Sequence, residues 1–123
     1  MDINRITERI IGCSIEVHKE LGLGLLESAY EECLVYELKL AGLDVSRQVP
    51  VPVIYKDIIM DCGYRIDVLV EKQVVVELKT VDVLTPVHEA QILTYMKFAQ
   101  IETGLLVNFR TMLLKNGIKR FRL

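Results

Sequence analysis

Residues 64–79 read Tyr64-Arg65-Ile66-Asp67-Val68-Leu69-Val70-Glu71-Lys72-Gln73-Val74-Val75-Val76-Glu77-Leu78-Lys79, two β-branched runs separated by a short polar segment. The even-numbered positions of both runs are apolar, as in strands that bury one face. If an antiparallel pair buries both even faces on one side, paired residue numbers must have an even sum. A three-residue loop, Glu71-Lys72-Gln73, meets this condition and pairs Val70 with Val74. The pattern therefore predicts a β-hairpin with a buried even-numbered face.

The odd-numbered face of this hairpin carries Arg65, Asp67, Glu77 and Lys79, and the register sets Asp67 directly opposite Glu77. Opposed residues have Cβ atoms roughly 4.5–5.5 Å apart, so two carboxylates there repel unless a cation lies between them. A hard divalent ion fits that gap, and a neighbouring lysine can orient water or stabilise the charge of an attacked phosphodiester. The alternative is a solvated sheet face with an ordinary charged cluster. The pattern alone leaves both interpretations open.

Helical periodicity appears on both sides of the hairpin. Apolar spacings of three and four predict a helix over residues 3–21 and a second over residues 25–40, with Leu26 facing inward. A glycine shortly after each of these segments supports its end. Thr85-Pro86 predicts the start of a third helix, with Thr as the N-cap and Pro at the first helical position, and this helix continues through Ala99.

Between and after the helices, β-branched runs bounded by turn residues predict strands. Three are expected near residues 45–55, 58–70 and 73–81, and two closing strands at 103–109 and 117–122. Prolines in the first run favour an edge or bulged strand. The predicted order is α-α-β-β-β-α-β-β, which indicates an α/β (α+β) fold with a central mixed β-sheet flanked by helices.

Length and composition limit the classes of protein. The 123 residues, 51% hydrophobic and 26% charged, fit one compact domain spanning residues 1–123. No apolar run approaches the roughly 20 residues of a membrane span, and the first residues lack the apolar stretch of a signal peptide, so we expect a cytoplasmic protein without a membrane partner. The three cysteines, Cys13, Cys33 and Cys62, suit neither a disulfide framework nor a zinc cluster and are expected to be reduced packing residues.

Charge is unevenly distributed along the chain. The formal net charge of −2 argues against binding nucleic acid by bulk attraction. Residues 1–102 contain all 17 acidic residues and only ten of the 15 Lys and Arg. The remaining five basic residues follow without an acid: Arg110, Lys115, Lys119, Arg120 and Arg122. This segregation indicates either an edge that faces a polyanion or an edge strand protected against aggregation.

Three motifs resemble those of a known superfamily. Asp67 followed by Glu77-Leu78-Lys79 resembles the D…(D/E)-x-K signature of the PD-(D/E)XK nuclease superfamily. Gln91-Ile92-Leu93-Thr94-Tyr95 resembles the Q-x-x-x-Y motif of its RecB-like branch. Gly24-Leu25-Leu26-Glu27-Ser28-Ala29-Tyr30 resembles the G-x-x-E-x-x-Y motif that names the GxxExxY family of small proteins within it. The chain departs from the pattern at Ile66, where the superfamily often has proline.

The resemblance implies a restriction-endonuclease-like core and a metal site. Asp67 and Glu77 would be the main ligands of Mg²⁺ or Mn²⁺, with Glu27 and the carbonyl of Leu78 as additional ligands. Lys79 would activate or orient the attacking water.

Other site residues complete this prediction. Gln91 and Tyr95 would orient Lys79 or the phosphate, since they share a helix face. The basic residues expected to contact substrate are Arg65, Arg110, Lys119 and Arg120. Three further site candidates are His18, Tyr30 and His88.

The sequence therefore predicts a metal-dependent nuclease that hydrolyses phosphodiester bonds in nucleic acid, DNA or alternatively RNA. Small nucleases of this architecture frequently act as dimers, so a homodimer is also expected. The alternative is a catalytically inactive module of the same fold that binds nucleic acid or a protein partner. The net charge motivates that alternative, because a surface that tracks a nucleic-acid strand usually needs more Lys and Arg.

Overall fold

The secondary structure follows the predicted order closely. A computed structural model describes residues 1–123. The three α-helices are α1 (Ile3–Leu21), α2 (Glu27–Leu40) and α3 (Pro86–Ala99). The seven strands are β1 (Val45–Pro50), β2 (Val53–Tyr55), β3 (Ile58–Met60), β4 (Arg65–Val70), β5 (Val74–Lys79), β6 (Thr103–Asn108) and β7 (Ile118–Arg122). A 3₁₀ turn, Leu114–Gly117, precedes β7. None of the helices is long and apolar enough to cross a membrane.

Five strands form the central sheet, in the order β1-β4-β5-β6-β7. Only β5 and β6 are parallel, and α3 connects them in the chain. The sheet is therefore mixed and flanked by helices, as predicted. Val70 pairs with Val74, which confirms the three-residue loop between β4 and β5. That register brings the acidic positions of the two strands to the same level.

The two long strands predicted near residues 45–55 and 58–70 are each divided into two shorter strands, so their predicted lengths are wrong. The end of the first and the start of the second form a separate two-stranded sheet, β2 and β3, outside the central sheet. Pro52 lies in the first break and supplies no N–H for a ladder. A turn interrupts the second run, since Gly63 has φ +81° and its N–H donates to Asp61 Oδ1 at 2.9 Å. The breaks thus follow from backbone chemistry at Pro52 and Gly63.

The two faces of the sheet bury separate cores. Val74, Val76 and Leu78 pack with α1 and α2, whereas Val75, between them in sequence, packs with α3. A central strand covered on both faces is apolar throughout. The prediction that only the even-numbered face is buried is therefore wrong for β5. Ile66 is buried as predicted, but it packs in the core under α3 and not in the core that contains Val68 and Val70.

Two packing predictions are wrong at exposed positions. Leu26 is 77% exposed, because α2 begins at Glu27 and Leu26 is its N-cap residue. Cys62 is exposed in the turn between β3 and β4, whereas Cys13 and Cys33 are half-buried, and all three are free thiols. A turn residue has no neighbouring layer to pack against.

The buried ring of Tyr30 connects the first two helices to the sheet. It stacks on Phe109 with ring centroids 4.5 Å apart. Its hydroxyl donates to the Gly22 carbonyl at 2.6 Å and accepts from the Leu25 N–H at 3.4 Å. The motif tyrosine, a predicted site candidate, therefore braces the turn between α1 and α2.

Tyr30→Phe is expected to lower the free energy of unfolding by about 1–2 kcal/mol, because it leaves the Gly22 carbonyl without its hydrogen bond. Urea unfolding measures this change. Tyr36→Phe, at an exposed position of the same helix, is the matched control and should have little effect. Equal stability of Tyr30→Phe and the parent chain would contradict this bracing role.

Candidate active site

Two carboxylates lie where β4 and β5 stop pairing through their backbones. The ladder reaches Val68 and Val76, and one residue further each acid bonds the opposite strand. Asp67 N–H donates to Glu77 Oε2 at 2.8 Å. Leu78 N–H donates to Asp67 Oδ2 at 2.9 Å. These reciprocal bonds place the two acids opposite each other, as the predicted register requires.

Burial makes this arrangement costly for two negative charges. Burial, and then repulsion from Asp67, raises the pKa of Glu77 to about 8. Burial also raises the pKa of Asp67, against the hydrogen bond from Leu78. Glu27, which α2 brings alongside, has a pKa raised by burial and by the charge of Asp67. The three acids therefore share one electrostatic site that favours a proton or a cation.

Lys79 ends β5 beside these acids and is held by α3. Its Nζ donates to Gln91 Oε1 at 3.2 Å, and Gln91 Nε2 donates to the Tyr95 hydroxyl at 3.0 Å. The helix lies close to the sheet at Gly104, where a Cβ atom would be 2.6 Å from Met96 Sδ. The structure thus brings together the acids, the lysine and the predicted glutamine and tyrosine.

Sequence comparison agrees with this geometry. A family model described as the PD-(D/E)XK nuclease superfamily matches residues 4–121. The chain belongs to this superfamily. PD-(D/E)XK proteins are typically nucleases and generally use divalent metal ions. The five-stranded mixed sheet with three helices is consistent with their restriction-endonuclease-like core. No curated protein and no solved structure matches the chain significantly.

The carboxylates of this PD-(D/E)XK chain are oxygen donors of the kind that divalent ions prefer. No group of three or more His, Cys, Asp or Glu side chains is gathered closely enough to form a metal site by itself. Asp67 and Glu77 nevertheless supply hard oxygen donors. In each carboxylate, one oxygen accepts a hydrogen bond from a backbone N–H group, and the other oxygen accepts none from the backbone. Their raised pKa values mark a place where a cation would relieve repulsion. The donor chemistry of this pair fits Mg²⁺ or Mn²⁺.

A buried network behind the acids was missed from the sequence. Glu31 is buried on α2, one turn after Glu27. Arg47 Nη2 donates to its Oε2 at 2.9 Å, and Gln48 Nε2 donates to its Oε1 at 2.8 Å. Gln48 has φ +49°, an uncommon conformation for a non-glycine residue in a strand. The i, i+4 spacing of Glu27 and Glu31 was the available sequence signal, since it places both on one helix face.

Three of the four predicted substrate-binding cations are paired with acids, and of these Arg110 and Lys119 are exposed and Arg65 is half-buried. Arg65, two residues before Asp67, lies 3.6 Å from Asp61. The other two pairs are Arg110 with Asp82 at 3.4 Å and Lys119 with Glu89 on α3 at 2.6 Å. Arg110 is at the active-site end of the sheet, since the preceding Phe109 N–H donates to the Lys79 carbonyl.

Arg120 does not join this site. Its guanidinium donates to Asn4 Oδ1 at 3.0 Å and to Thr7 Oγ1 at 3.2 Å, on the first two turns of α1. The other end of α1, at His18, is the end that approaches the residues after β6. Arg120 therefore lies against α1 and away from the acids, and its predicted contact with substrate stays a prediction. Strand alternation explains this, since Lys119 and Arg120 point to opposite faces.

Each of the two histidines makes a contact at the end of a helix. His18 Nε2 lies 2.8 Å from the Thr111 carbonyl and joins α1 to the segment after β6. His88 Nδ1 accepts from the Thr85 N–H at 3.0 Å and completes the capping box of α3. Neither contact reaches the acids. Both side chains therefore hold helix ends, and their predicted part in the site stays a prediction.

Proposed function

We propose that this chain is a nuclease that hydrolyses phosphodiester bonds of nucleic acid, with DNA as the substrate and Mg²⁺ or Mn²⁺ as the cofactor. The observation that carries the proposal is the opposition of Asp67 and Glu77 beside Lys79, which Gln91 holds. Membership of a superfamily of typical nucleases supports the same reaction class.

The acids would hold the divalent ion. Asp67 and Glu77, together with Glu27 and the carbonyl of Leu78, are the proposed ligands, and a bound ion polarises a phosphoryl oxygen and lowers the pKa of a coordinated water. The chain itself fixes the carboxylates through backbone N–H groups at 2.8 and 2.9 Å. Preorganised groups need little rearrangement during the reaction, so they stabilise the transition state efficiently.

Lys79 is the proposed group that holds the attacking water or a phosphate oxygen. An ammonium has three N–H donors, and Gln91 occupies one of them. Gln91 is itself fixed at its other end by Tyr95. Burial raises the pKa of Tyr95, so its hydroxyl stays protonated even above neutral pH. The glutamine and tyrosine therefore act as positioning residues for the lysine.

Two arginines near the acids would contact the phosphate backbone. Arg65 lies two residues before Asp67, and Arg110 follows Phe109, whose N–H donates to the Lys79 carbonyl. Each arginine pairs with an exposed aspartate. Such surface pairs contribute only about 0–1 kcal/mol, so a phosphate can replace the aspartate as the partner. With few such contacts, binding should be modest and salt-dependent.

Two finer assignments belong to this proposal. The motif ending at Tyr30 supports membership of the GxxExxY family, and the Gln91 to Tyr95 spacing supports the RecB-like branch.

A homodimer is proposed on the exposed apolar residues of the β2–β3 hairpin, since a two-stranded sheet has marginal stability by itself.

The purified chain is expected to cleave nucleic acid when Mg²⁺ or Mn²⁺ is present and to be inactive in EDTA. A panel of single-stranded, double-stranded and branched DNA, with RNA alongside, identifies the substrate. A Lys79→Ala preparation made in parallel controls for contaminating nucleases. Absence of cleavage on every substrate with both metals would contradict the proposed function.

A further inference from the structure

An apolar cavity opens next to the candidate active site. It has a volume of about 510 Å³ and lies between α3, the start of β2 and the residue before β4. Its walls include Tyr64, Ala90, Gln91, Thr94, Tyr95 and Phe98. Gln91 and Tyr95 belong to both the cavity and the hydrogen-bonded chain that ends on Lys79. The cavity therefore lies next to the proposed phosphate site and shares these two residues with its hydrogen-bonded chain.

The chemistry of the walls selects the kind of group that fits. No wall residue is charged, so the cavity offers no countercharge to a phosphate or a metal ion. The Tyr64 and Tyr95 rings lie at the wall with centroids 5.9 Å apart, and Tyr64 is half-exposed. The Gln91 amide and the Thr94 hydroxyl add polar groups to the lining. A flat, neutral ring with polar edges matches such a lining, and the volume is typical of ligand sites of about 300–1,000 Å³.

We propose that this cavity binds an unstacked base of single-stranded nucleic acid, next to the phosphate held at Lys79. The inference rests on the proposed nuclease function, since that function places a phosphate one side chain away. Aromatic walls bind bases of any sequence, because every base presents a π-face. A paired base would first have to leave its stack, which costs a few kcal/mol. The cavity therefore favours single strands and unpaired positions over duplex.

Two oligonucleotides of equal charge separate binding of bases from binding of phosphates. One is a short thymidine oligonucleotide, and the other has the same backbone with every base absent. Affinity is measured by fluorescence anisotropy at low salt with Ca²⁺, independently of cleavage. The wild-type chain is expected to bind the thymidine oligonucleotide about 5- to 100-fold more tightly.

Tyr64→Ala is expected to remove most of that preference and leave affinity for the baseless strand unchanged. Tyr36→Ala, an exposed tyrosine on α2 across the sheet, is the matched control and should keep the preference. If Tyr64→Ala does not fold, Ala90→Phe fills the cavity from an exposed position of α3 and should have the same effect.

The outcomes separate the two proposals. Equal wild-type affinity for the two strands, or a preference that survives Tyr64→Ala or Ala90→Phe, would overturn the base site even in a chain that cleaves DNA. If the base preference depends on Tyr64 but the chain cleaves no substrate, the base site would be supported and the proposed nuclease function would be contradicted.

Discussion

Lys79→Ala should lower the rate of phosphodiester cleavage by about 10²–10³-fold, the typical cost of removing one preorganised donor at a developing charge. The lysine Nζ is held 3.2 Å from Gln91 Oε1, so its position is set before substrate arrives. Alanine removes the charge and the donor together. A single-turnover rate at saturating protein isolates the reaction from binding.

The control for this variant is Lys97→Ala, which removes an exposed lysine from the same helix as Gln91. It should cleave like the wild type. Lys79→Ala also removes a positive charge beside the buried acids, so urea unfolding of both variants verifies that each is folded under the assay conditions. Undiminished cleavage by Lys79→Ala would show that the lysine has no part in the reaction.

Glu77→Gln is expected to stabilise the metal-free chain at pH 8 by a few kcal/mol. Burial and the charge of Asp67 raise the pKa of Glu77 from 4.5 to about 8. The folded chain therefore binds this proton more tightly than the unfolded chain. The resulting stability is complete below about pH 4.5 and is lost as the pH rises through about 8. Glutamine avoids this loss, because it is neutral and its carbonyl oxygen can still accept from Asp67 N–H.

Urea unfolding between pH 5 and pH 9 in EDTA measures the difference. The stability curves of wild type and Glu77→Gln should converge toward acid pH and separate toward alkaline pH. Glu8→Gln, at an exposed position of α1, is the matched control and should follow the wild type. Parallel curves for Glu77→Gln and wild type would contradict a buried, repelled carboxylate.

Added Mg²⁺ tests whether a cation stabilises the folded chain when Glu77 is charged. At pH 8 it should raise the unfolding temperature of the wild type more than that of Glu77→Gln, because only the wild type presents both carboxylates. An equal shift in the two proteins would mean that the ion does not bind at Glu77.

Local patterns were sufficient for the elements that present the acids. The parity of apolar positions predicted the Val70–Val74 pairing, and with it the opposition of Asp67 and Glu77. The Thr85 cap and the proline after it predicted where α3 begins, and the helix period then placed Gln91 and Tyr95 on one face. These predictions succeeded because each depends on residues close together in the chain.

Contacts between distant segments lay outside those patterns. The ion pair of Lys119 with Glu89 joins β7 to α3. One of the five positive charges after residue 102 is therefore already paired with an acid. The buried Glu31 depends on Arg47 and Gln48 from β1. No periodicity contains such pairings, because they depend on how helices and strands pack after they form.

The sequence by itself determined the β4–β5 register and the residues that could form an acidic site, because alternation and turn length are local properties of a strand pair. Only the tertiary structure decided how those residues are used. In the folded chain, both faces of β5 are buried, and the charge of Asp67 acts on Glu27. Gln91 accepts a hydrogen bond from Lys79, and Arg120 bonds α1. The physical reason is that burial and long-range contacts set the pKa values and partners of these groups, and both arise only when the layers pack.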